Sequence, residues 1–175
     1  MGGPRQPPPG ADPQLWQLFC TTDTDANGYL TEQELAYALR NTDHTPFDVA
    51  TVHAIFRMFA TGTCLDFPSF TSLMRYLDQW RQIYHTFSTQ GGMTGRELQR
   101  ALNAFGYNVQ DGVIQKLTRR FASPQTGIMN FDGFIQSCLI VKPLSDAFSK
   151  LDTNRTGWVN MNYETFLDLV ASNLP

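Results

Sequence analysis

The stretch DTDANGYLTEQE, residues Asp23–Glu34, places short oxygen-bearing side chains at its first, third and fifth positions and closes on a glutamate at its twelfth. Gly28 occupies the sixth position, where a sharp turn favours a residue without a side chain. A hard cation such as Ca²⁺ takes about six to eight oxygen ligands. The alternation lets the early oxygens point to one centre, and Glu34 can add two more from the next helix. The spacing therefore predicts a calcium-binding loop between two helices.

The pattern matches the EF-hand loop at each diagnostic position. The predicted metal ligands are Asp23, Asp25, Asn27, Tyr29 and Glu34. Tyr29, at the seventh position, would act through its backbone carbonyl. Thr31 at the ninth position would add a hydroxyl or a bound water. Leu30 at the eighth should face the core and pair with a neighbouring loop. A polar turn before a helix is the alternative, but chance rarely meets all these constraints together.

Degraded copies of this helix–loop–helix frame follow, with loops near residues 60–69, 88–97, 122–133 and 152–163. The second and third loops are two residues short, and Ser69 replaces the closing glutamate of the second. The third keeps Glu97 but lacks every early carboxylate, the fourth opens on Ala122, and the fifth closes on Tyr163. The closing glutamate supplies two of about seven coordinating oxygens and a full charge. We therefore predict one Ca²⁺ site per chain, in the first hand, with Mg²⁺ as an alternative occupant.

Helix-start signals recur along the chain. Asp12 before Pro13 combines a capping side chain with proline at the first helical position. TEQE (Thr31–Glu34) and TGRE (Thr94–Glu97) are capping boxes that restart helices after two of the loops. Strand signals are short, so the helices should dominate.

The predicted fold class is therefore all-α. We expect one domain over residues 13–175, with short β-bridges between paired loops, after a flexible Gly/Pro-rich tail over residues 1–12. Pro143 should kink or break the helix that begins near Phe131, because proline lacks the backbone N–H and crowds the preceding turn.

Five loops cannot all pair within one chain. The eighth positions predict the pairs Leu30 with Leu65 and Met93 with Met129, which leaves Val159 over. An unpaired strand exposes an edge and apolar surface. Pairing with the same element of a second chain removes both, so we predict a homo- or heterodimer. The predicted interface residues are Trp158, Val159, Tyr163 and Phe166; packing within the core is the alternative for the first of these.

Composition limits the function classes. The 175 residues are 42% hydrophobic, enough for a sizeable core, and the net charge of −3 gives no indication of nucleic-acid binding. Three widely spaced cysteines are a poor disulfide framework, and neither a signal core nor a membrane span is evident. We expect a cytoplasmic protein, with nuclear presence and calcium-dependent, peripheral membrane recruitment left open. No nucleophile has a partner base, so we predict no enzyme.

Several segments together resemble the penta-EF-hand family over nearly everything from residue 14 onward. They are TPFDVATVHAIFRMF (45–59), YLDQWRQIYHTF (76–87), ELQRALNAFGYNV (97–109), FDGFIQSCLIV (131–141) and LDTNRTGWVNMNYETFL (151–167). The resemblance implies eight or nine helices, dimerisation through the fifth hand, and a calcium-responsive adaptor. Such adaptors bind proline-rich segments of proteins in vesicle coats, membrane repair and sorting.

The resemblance also implies a partner-binding groove between the exit helix of the second hand and the third hand. The matching positions are Phe70, Met74, Leu77, Trp80, Phe105 and Tyr107. For the stripe on the helix, Phe70, Met74, Leu77 and Trp80, core packing is the default explanation and the peptide groove is the alternative. A calcium-independent scaffold, or a regulatory subunit or heterodimer partner, is the alternative function.

Overall fold

The computed structural model describes residues 6–89 and 91–173. Within them the chain forms eight α-helices and β-structure is limited to isolated bridges, which confirms the all-α class. In chain order the helices are α1 (Pro13–Thr22), α2 (Glu32–Ala38), α3 (Val49–Phe59), α4 (Phe67–Phe87), α5 (Gly95–Ala104), α6 (Asp111–Phe121), α7 (Phe131–Leu151) and α8 (Tyr163–Asn173). None of these described helices combines the length and the apolar character that crossing a bilayer requires.

The helices start where the capping signals predict. Asp12 Oδ1 accepts hydrogen bonds from the backbone N–H of Gln14 at 2.8 Å and of Leu15 at 3.1 Å, and Pro13 opens α1. α2 and α5 each open with a complete capping box. The glutamate of each box also closes a loop, so the bonds that start the helix position the twelfth loop residue as well.

α7 continues through Pro143, so of the predicted kink or break the break is wrong, and the kink stays a prediction. The turn around the proline is tied together by an ion pair between Lys142 Nζ and Asp146 Oδ2 at 2.7 Å. The N-terminal half of the helix is anchored separately, because residues such as Phe134 and Leu139 are buried. Together these contacts offset the hydrogen bond that proline cannot donate.

The loops pair as predicted through their eighth positions. Leu30 and Leu65 exchange two backbone hydrogen bonds of 2.8 and 2.9 Å, and Met93 and Met129 do the same at 2.9 and 2.8 Å. All four side chains are completely buried. Val159 takes part in no bridge within residues 6–89 and 91–173.

The chain divides into two compact units, Met1–Gln82 and Ile83–Pro175. In the first, Phe19 of α1 contacts the rings of Phe67 and Phe70 on α4, each at 5.5 Å between centroids. Phe19 and Phe70 are essentially inaccessible to solvent. Buried aromatic pairs contribute both apolar area and favourable edge-to-face geometry. This cluster fixes the end of α1, where the first loop begins.

The second unit is organised around Tyr84, near the end of α4. Its ring contacts Phe131 at 5.4 Å and Phe134 at 5.7 Å, and its hydroxyl donates to the backbone carbonyl of Met129 at 3.0 Å. The buried phenol thus has a partner for its polar atom.

Part of the predicted tail is described. Residues 6–12 contain no helix, whereas residues 1–5 lie outside the described residues. The predicted division into a tail over 1–12 and one domain over 13–175 stays a prediction.

Candidate metal centre

Three carboxylates of the first loop converge. Asp23, Asp25 and Glu34 each bring one oxygen within 4.8 Å of the others. Asp23 and Glu34 are buried, at 3% and 7% exposure, while Asp25 is exposed. Like charges held this closely repel one another, and a divalent cation between them would relieve that repulsion.

The loop backbone is wrapped around Asp23. Its Oδ1 accepts from the N–H of Asn27 at 3.1 Å, and its Oδ2 accepts from the N–H of Gly28 at 2.8 Å. Asp25 Oδ1 accepts from the same N–H of Asn27 at 3.1 Å. Gly28 has φ 88°, a left-handed conformation that glycine adopts without strain. These bonds hold the first and third loop positions toward one centre.

Glu34 accepts four hydrogen bonds from two threonines, which we call the threonine clamp. Oε1 accepts from the N–H and hydroxyl of Thr24 at 2.9 and 2.8 Å, and Oε2 accepts from both groups of Thr31 at 2.9 Å. The N–H of Thr31 makes the largest contribution, and together the four donors outweigh burial and lower the pKa of Glu34 to about 2. The glutamate is therefore ionised, as a metal ligand must be.

The donor set fits a hard divalent cation. It consists of oxygens alone, with three negative charges, which matches Ca²⁺ and is compatible with Mg²⁺. Asn27 and Tyr29 lie in the same loop, where Asn27 Oδ1 accepts from the N–H of Tyr29 at 2.8 Å. Their coordination of the metal stays a prediction.

The third hand has a similar threonine clamp around its closing glutamate but no carboxylates at the early loop positions. Glu97 is 4% exposed and accepts from the hydroxyl of Thr89, from the N–H of Thr94 at 2.7 Å and from the hydroxyl of Thr94 at 2.9 Å. Burial raises the pKa of Glu97, but these donors together lower it below its ordinary value. Thr89 and Gly92 exchange two backbone hydrogen bonds of 3.2 Å, which close the shortened loop.

The fifth hand is the reverse of the third, because it keeps the opening aspartate and lacks the closing glutamate. Asp152 Oδ1 accepts from the N–H of Thr156 at 2.9 Å and Oδ2 from that of Gly157 at 2.7 Å, which repeats the wrapping around Asp23. Tyr163 at the closing position is 76% exposed and offers no carboxylate. Across residues 6–89 and 91–173, the first loop holds the one group of three acidic, histidine or cysteine side chains with converging ligand atoms.

The predicted interface residues lie on the surface of the chain. Trp158 is 85% exposed and Phe166 50%, while Val159 is half-buried. α8 contains no buried residue. Core packing of Trp158 within its own chain is therefore excluded.

The predicted groove residues divide into two sets. Phe70 and Leu77 are completely buried, so their assignment to a partner groove is wrong and core packing is the right alternative for both. The half-buried positions are Met74 and Trp80 in the first unit, and Phe105 and Tyr107 in the second. The hydroxyl of Tyr107 donates to Asp146 Oδ1 at 3.2 Å.

Sequence reasoning missed the second loop position. Thr24 supplies two of the four hydrogen bonds to Glu34 and Thr89 one of the three to Glu97, yet neither threonine belongs to the ligand pattern. A signal was present, because Thr61 and Thr153 occupy the same position in the second and fifth loops.

Comparisons with known proteins agree with this architecture. No family model matches the chain. Peflin from Danio rerio is 34% identical over 172 residues, covering 95% of this chain and 64% of peflin. Calcium-binding protein CBP from Oryza sativa subsp. japonica is 33% identical over 168 residues, covering 91% of this chain and 56% of that protein. The chain thus spans less than two thirds of these relatives.

A solved structure is similar over almost its full length. It is a homolog of programmed cell death 6 protein from Leishmania major Friedlin, with TM-score 0.78 and 27% identity, covering 91% of this chain and 94% of that one. With its five loop frames and its paired eighth positions the chain has the penta-EF-hand fold, and the proteins to which it is similar are members of the penta-EF-hand family.

Proposed function

We propose that the chain is a calcium-binding adaptor with one Ca²⁺ site, in the first hand, that dimerises through its fifth hand and binds proline-rich segments of partner proteins. The observation that carries the first part is the convergence of Asp23, Asp25 and Glu34. A Ca²⁺ ion held there would supply two positive charges between the end of α1 and the first turn of α2. As a sensor site it would have a dissociation constant of about 10⁻⁷ to 10⁻⁵ M.

Calorimetry with matched variants tests the single site. We expect about one Ca²⁺ per chain, with binding lost in Glu34→Gln because an amide group replaces one of two coordinating oxygens and the charge. Glu97→Gln is the control, since Glu97 has an equivalent clamp without carboxylate neighbours. Two sites in the wild type, or lost binding in Glu97→Gln alone, would contradict the proposal.

The exposed fifth hand supports dimerisation. Tyr163 and Phe166 lie on a helix without buried residues, beside the unbridged Val159. The other eighth-position residues are paired within the chain, so a second penta-EF-hand chain supplies the equivalent strand.

Sedimentation at micromolar concentration tests the dimer. Tyr163→Glu should give a monomer, because the interface would have to bury an unpaired charge. Tyr37→Glu is the matched control, since both tyrosines are 76% exposed and Tyr37 lies on α2. A monomeric wild type, or equal dissociation by both variants, would count against this interface. A mixed-chain experiment with a relative then separates homo- from heterodimer.

Half-buried aromatic rings on α4 support binding of proline-rich segments. Tyr76 contacts Phe59 at 5.4 Å and Trp80 at 5.7 Å between centroids, all within the first unit. Proline-rich segments dock on aromatic surfaces in their preformed extended helix. Met74 of the same helix, and Phe105 and Tyr107 of the second unit, are the remaining predicted contacts.

A labelled decaproline peptide tests this surface. Trp80→Ala should weaken binding about tenfold, whereas Met58→Ala, which removes an exposed apolar side chain of α3, should have little effect. Equal effects of the two variants would indicate non-specific adhesion.

The threonine clamp favours one second candidate, a calcium-independent scaffold or regulatory partner. Both oxygens of Glu34 accept hydrogen bonds from the protein itself, as do those of Glu97, so protein groups alone can hold these carboxylates in place. Binding of a hydrophobic dye and of partners, with Ca²⁺ and with chelator, separates the two functions. Equal binding under both conditions favours the scaffold. In either case we expect no catalytic activity.

A further inference from the structure

Positive charge is concentrated on two helices of the second unit. Residues 95–121, which span α5 and α6, carry five basic and two acidic side chains, a net charge of +3 in a chain of −3. One of the two acids, Glu97, is buried in its clamp. The basic side chains are all exposed, and they are Arg96, Arg100, Lys116, Arg119 and Arg120. The negative net charge of the whole chain gives no indication of this basic surface.

α5 and α6 pack antiparallel. At one end, a Cβ on Gly95 would lie 2.8 Å from Thr118 Oγ1, so the first turn of α5 lies directly against the last turn of α6. At the other end, Gln99 Nε2 donates to the carbonyl of Val109 at 3.1 Å and to Asp111 Oδ1 at 2.7 Å. These contacts fix the separation of the two helices at the start and at the middle of α5.

A cavity of about 760 Å³ lies along this helix pair. Arg96 and Arg119 line it, and each directly follows the residue of closest approach on its own helix. Its polar lining includes Gln99 and Gln115, and Asp111 lines the opposite end. The two guanidinium groups thus lie at one end of a concave site whose lining is partly polar and partly apolar.

Both arginines lack an anionic partner within the part of the chain that the structure describes. In Arg100, by comparison, Nη2 lies 3.9 Å from Glu97 Oε1. The carboxylate of Asp111 accepts from Gln99 at the far end of the cavity. Two uncompensated guanidinium groups at a cavity favour a ligand with carboxylates, which arginine binds in bidentate fashion.

We propose that this cavity binds an acidic segment of a partner protein, with side-chain carboxylates of the segment on Arg96 and Arg119. A protein segment fits better than a lipid surface, because the site is concave and the exposed amide of Gln115 can bond to the backbone of an extended chain. Gln99 can add only its carbonyl oxygen, because its Nε2 already donates to Val109 and Asp111. The residues that line the site include none of those assigned to the calcium loop or to the proline-rich target.

Fluorescence anisotropy with labelled hexaglutamate tests the site on the full chain. Arg96→Gln with Arg119→Gln should weaken binding at least about tenfold. Arg57→Gln with Arg75→Gln removes the same charge from exposed positions in the first unit and should change binding less than about twofold. Equal weakening by the two pairs would overturn the proposal, because binding would then follow net charge alone.

A neutral variant tests the cavity itself. Gln115→Trp leaves every charge in place but fills space along the helix pair, and it should also weaken hexaglutamate binding about tenfold. Circular dichroism melts check that each variant remains folded. Unchanged binding in Gln115→Trp would overturn the proposal.

Two competitors separate other anion sources. Inorganic phosphate that displaces hexaglutamate at equal concentration would show a small-ion site, and stronger arginine-dependent binding to phosphatidylserine vesicles would show a membrane surface. Either result would overturn the assignment to a protein segment. The expected result is weak competition by both.

Discussion

The first and third hands each hold a closing glutamate by hydrogen bonds from threonines, yet only the first hand places other carboxylates beside it. Glu34 and Glu97 are 7% and 4% exposed, and each accepts hydrogen bonds from threonines at the second and ninth loop positions. The clamp therefore belongs to the architecture of the hand, because it forms whether or not other ligands are present. A closing glutamate alone is poor grounds for predicting a calcium site.

The difference between these loops is local. Each contains a left-handed glycine, Gly28 with φ 88° and Gly91 with φ 85°. Between the second-position threonine and this glycine, the first loop has residues 25–27 and the third has residue 90 alone. The shortening removes the third and fifth ligands, and Ser88 replaces the first. The glycine and the clamp remain, so the fold can persist without the metal.

The largest effect should come from restoring the missing ligands to the third hand. Replacing residues 88–91 with Asp-Thr-Asp-Ala-Asn-Gly restores the full loop length and joins new carboxylates to Glu97. Calorimetry should then find two Ca²⁺ per chain in place of one. Gly92 must be kept, because a Cβ there would lie 2.0 Å from Ile128 Cγ2.

The same graft with Glu97→Gln is the control, and it should return to one Ca²⁺ per chain. A folded graft that gains no site would show that the hands differ in more than loop length and ligands. In that case the comparison between Glu34 and Glu97 would fail as an account of calcium binding.

The next largest effect is the loss of stability in acid. The pKa of Glu34 lies near 2 instead of 4.5, so its ionised form stabilises the fold fully above about pH 5. This contribution, about 3 kcal/mol from the shift in pKa, should be lost as pH falls toward 2. Urea unfolding in chelator across this range measures it. The lowered pKa of Glu97 acts in the same direction.

Glu34→Gln isolates the contribution of the first hand, since the variant has no carboxyl group to protonate at this position. Its free energy of unfolding should depend less on pH between 5 and 2 than that of the wild type. Identical pH dependence in the two proteins would show that the clamp does not hold the ionised form.

Much of this architecture can be predicted from local patterns. The capping boxes and the ligand spacing each depend on residues close in sequence. The repeat of the loop frame also predicts which eighth positions pair, and the structure contains Leu30 paired with Leu65 as expected. Burial depends on packing between distant helices, which periodicity alone cannot resolve. Phe70 and Leu77 follow the helical spacing of a groove, but they are buried in the core.

Two other features depend on contacts that a motif does not specify. Continuation of α7 past Pro143 depends mainly on the burial of its preceding turns, because the ion pair between Lys142 and Asp146 is half-exposed and adds little. The clamp depends on side-chain bonds across the loop, such as that from the hydroxyl of Thr24 to Glu34 at 2.8 Å. Ligand patterns record what touches the metal, so they omit residues that hold the ligands in place.

A third effect should be the loss of stability on neutralising the clamped glutamate of the third hand. In Glu97→Gln an amide N–H₂ must face either the one donor of Thr89 or the two donors of Thr94, so charge-assisted bonds are lost and at least one donor is opposed. We expect a loss of about 2 kcal/mol in the free energy of unfolding, measured in chelator. Arg100→Gln, which removes only an exposed partner at 3.9 Å, should cost less than about 0.5 kcal/mol.

The smallest effect should come from the capping threonines, and it should be the same in both hands. The hydroxyl of Thr31 accepts from the N–H of Glu34 at 3.3 Å and that of Thr94 from the N–H of Glu97 at 3.4 Å, while each donates to its glutamate at 2.9 Å. Thr31→Ala and Thr94→Ala should each lower the free energy of unfolding by about 1 kcal/mol in chelator. Added Ca²⁺ should raise the stability of both variants through the intact carboxylates of the first loop. A much larger loss for Thr31→Ala in chelator would mean that the metal-free first hand depends on its clamp more than the third, and the two hands would not share one architecture.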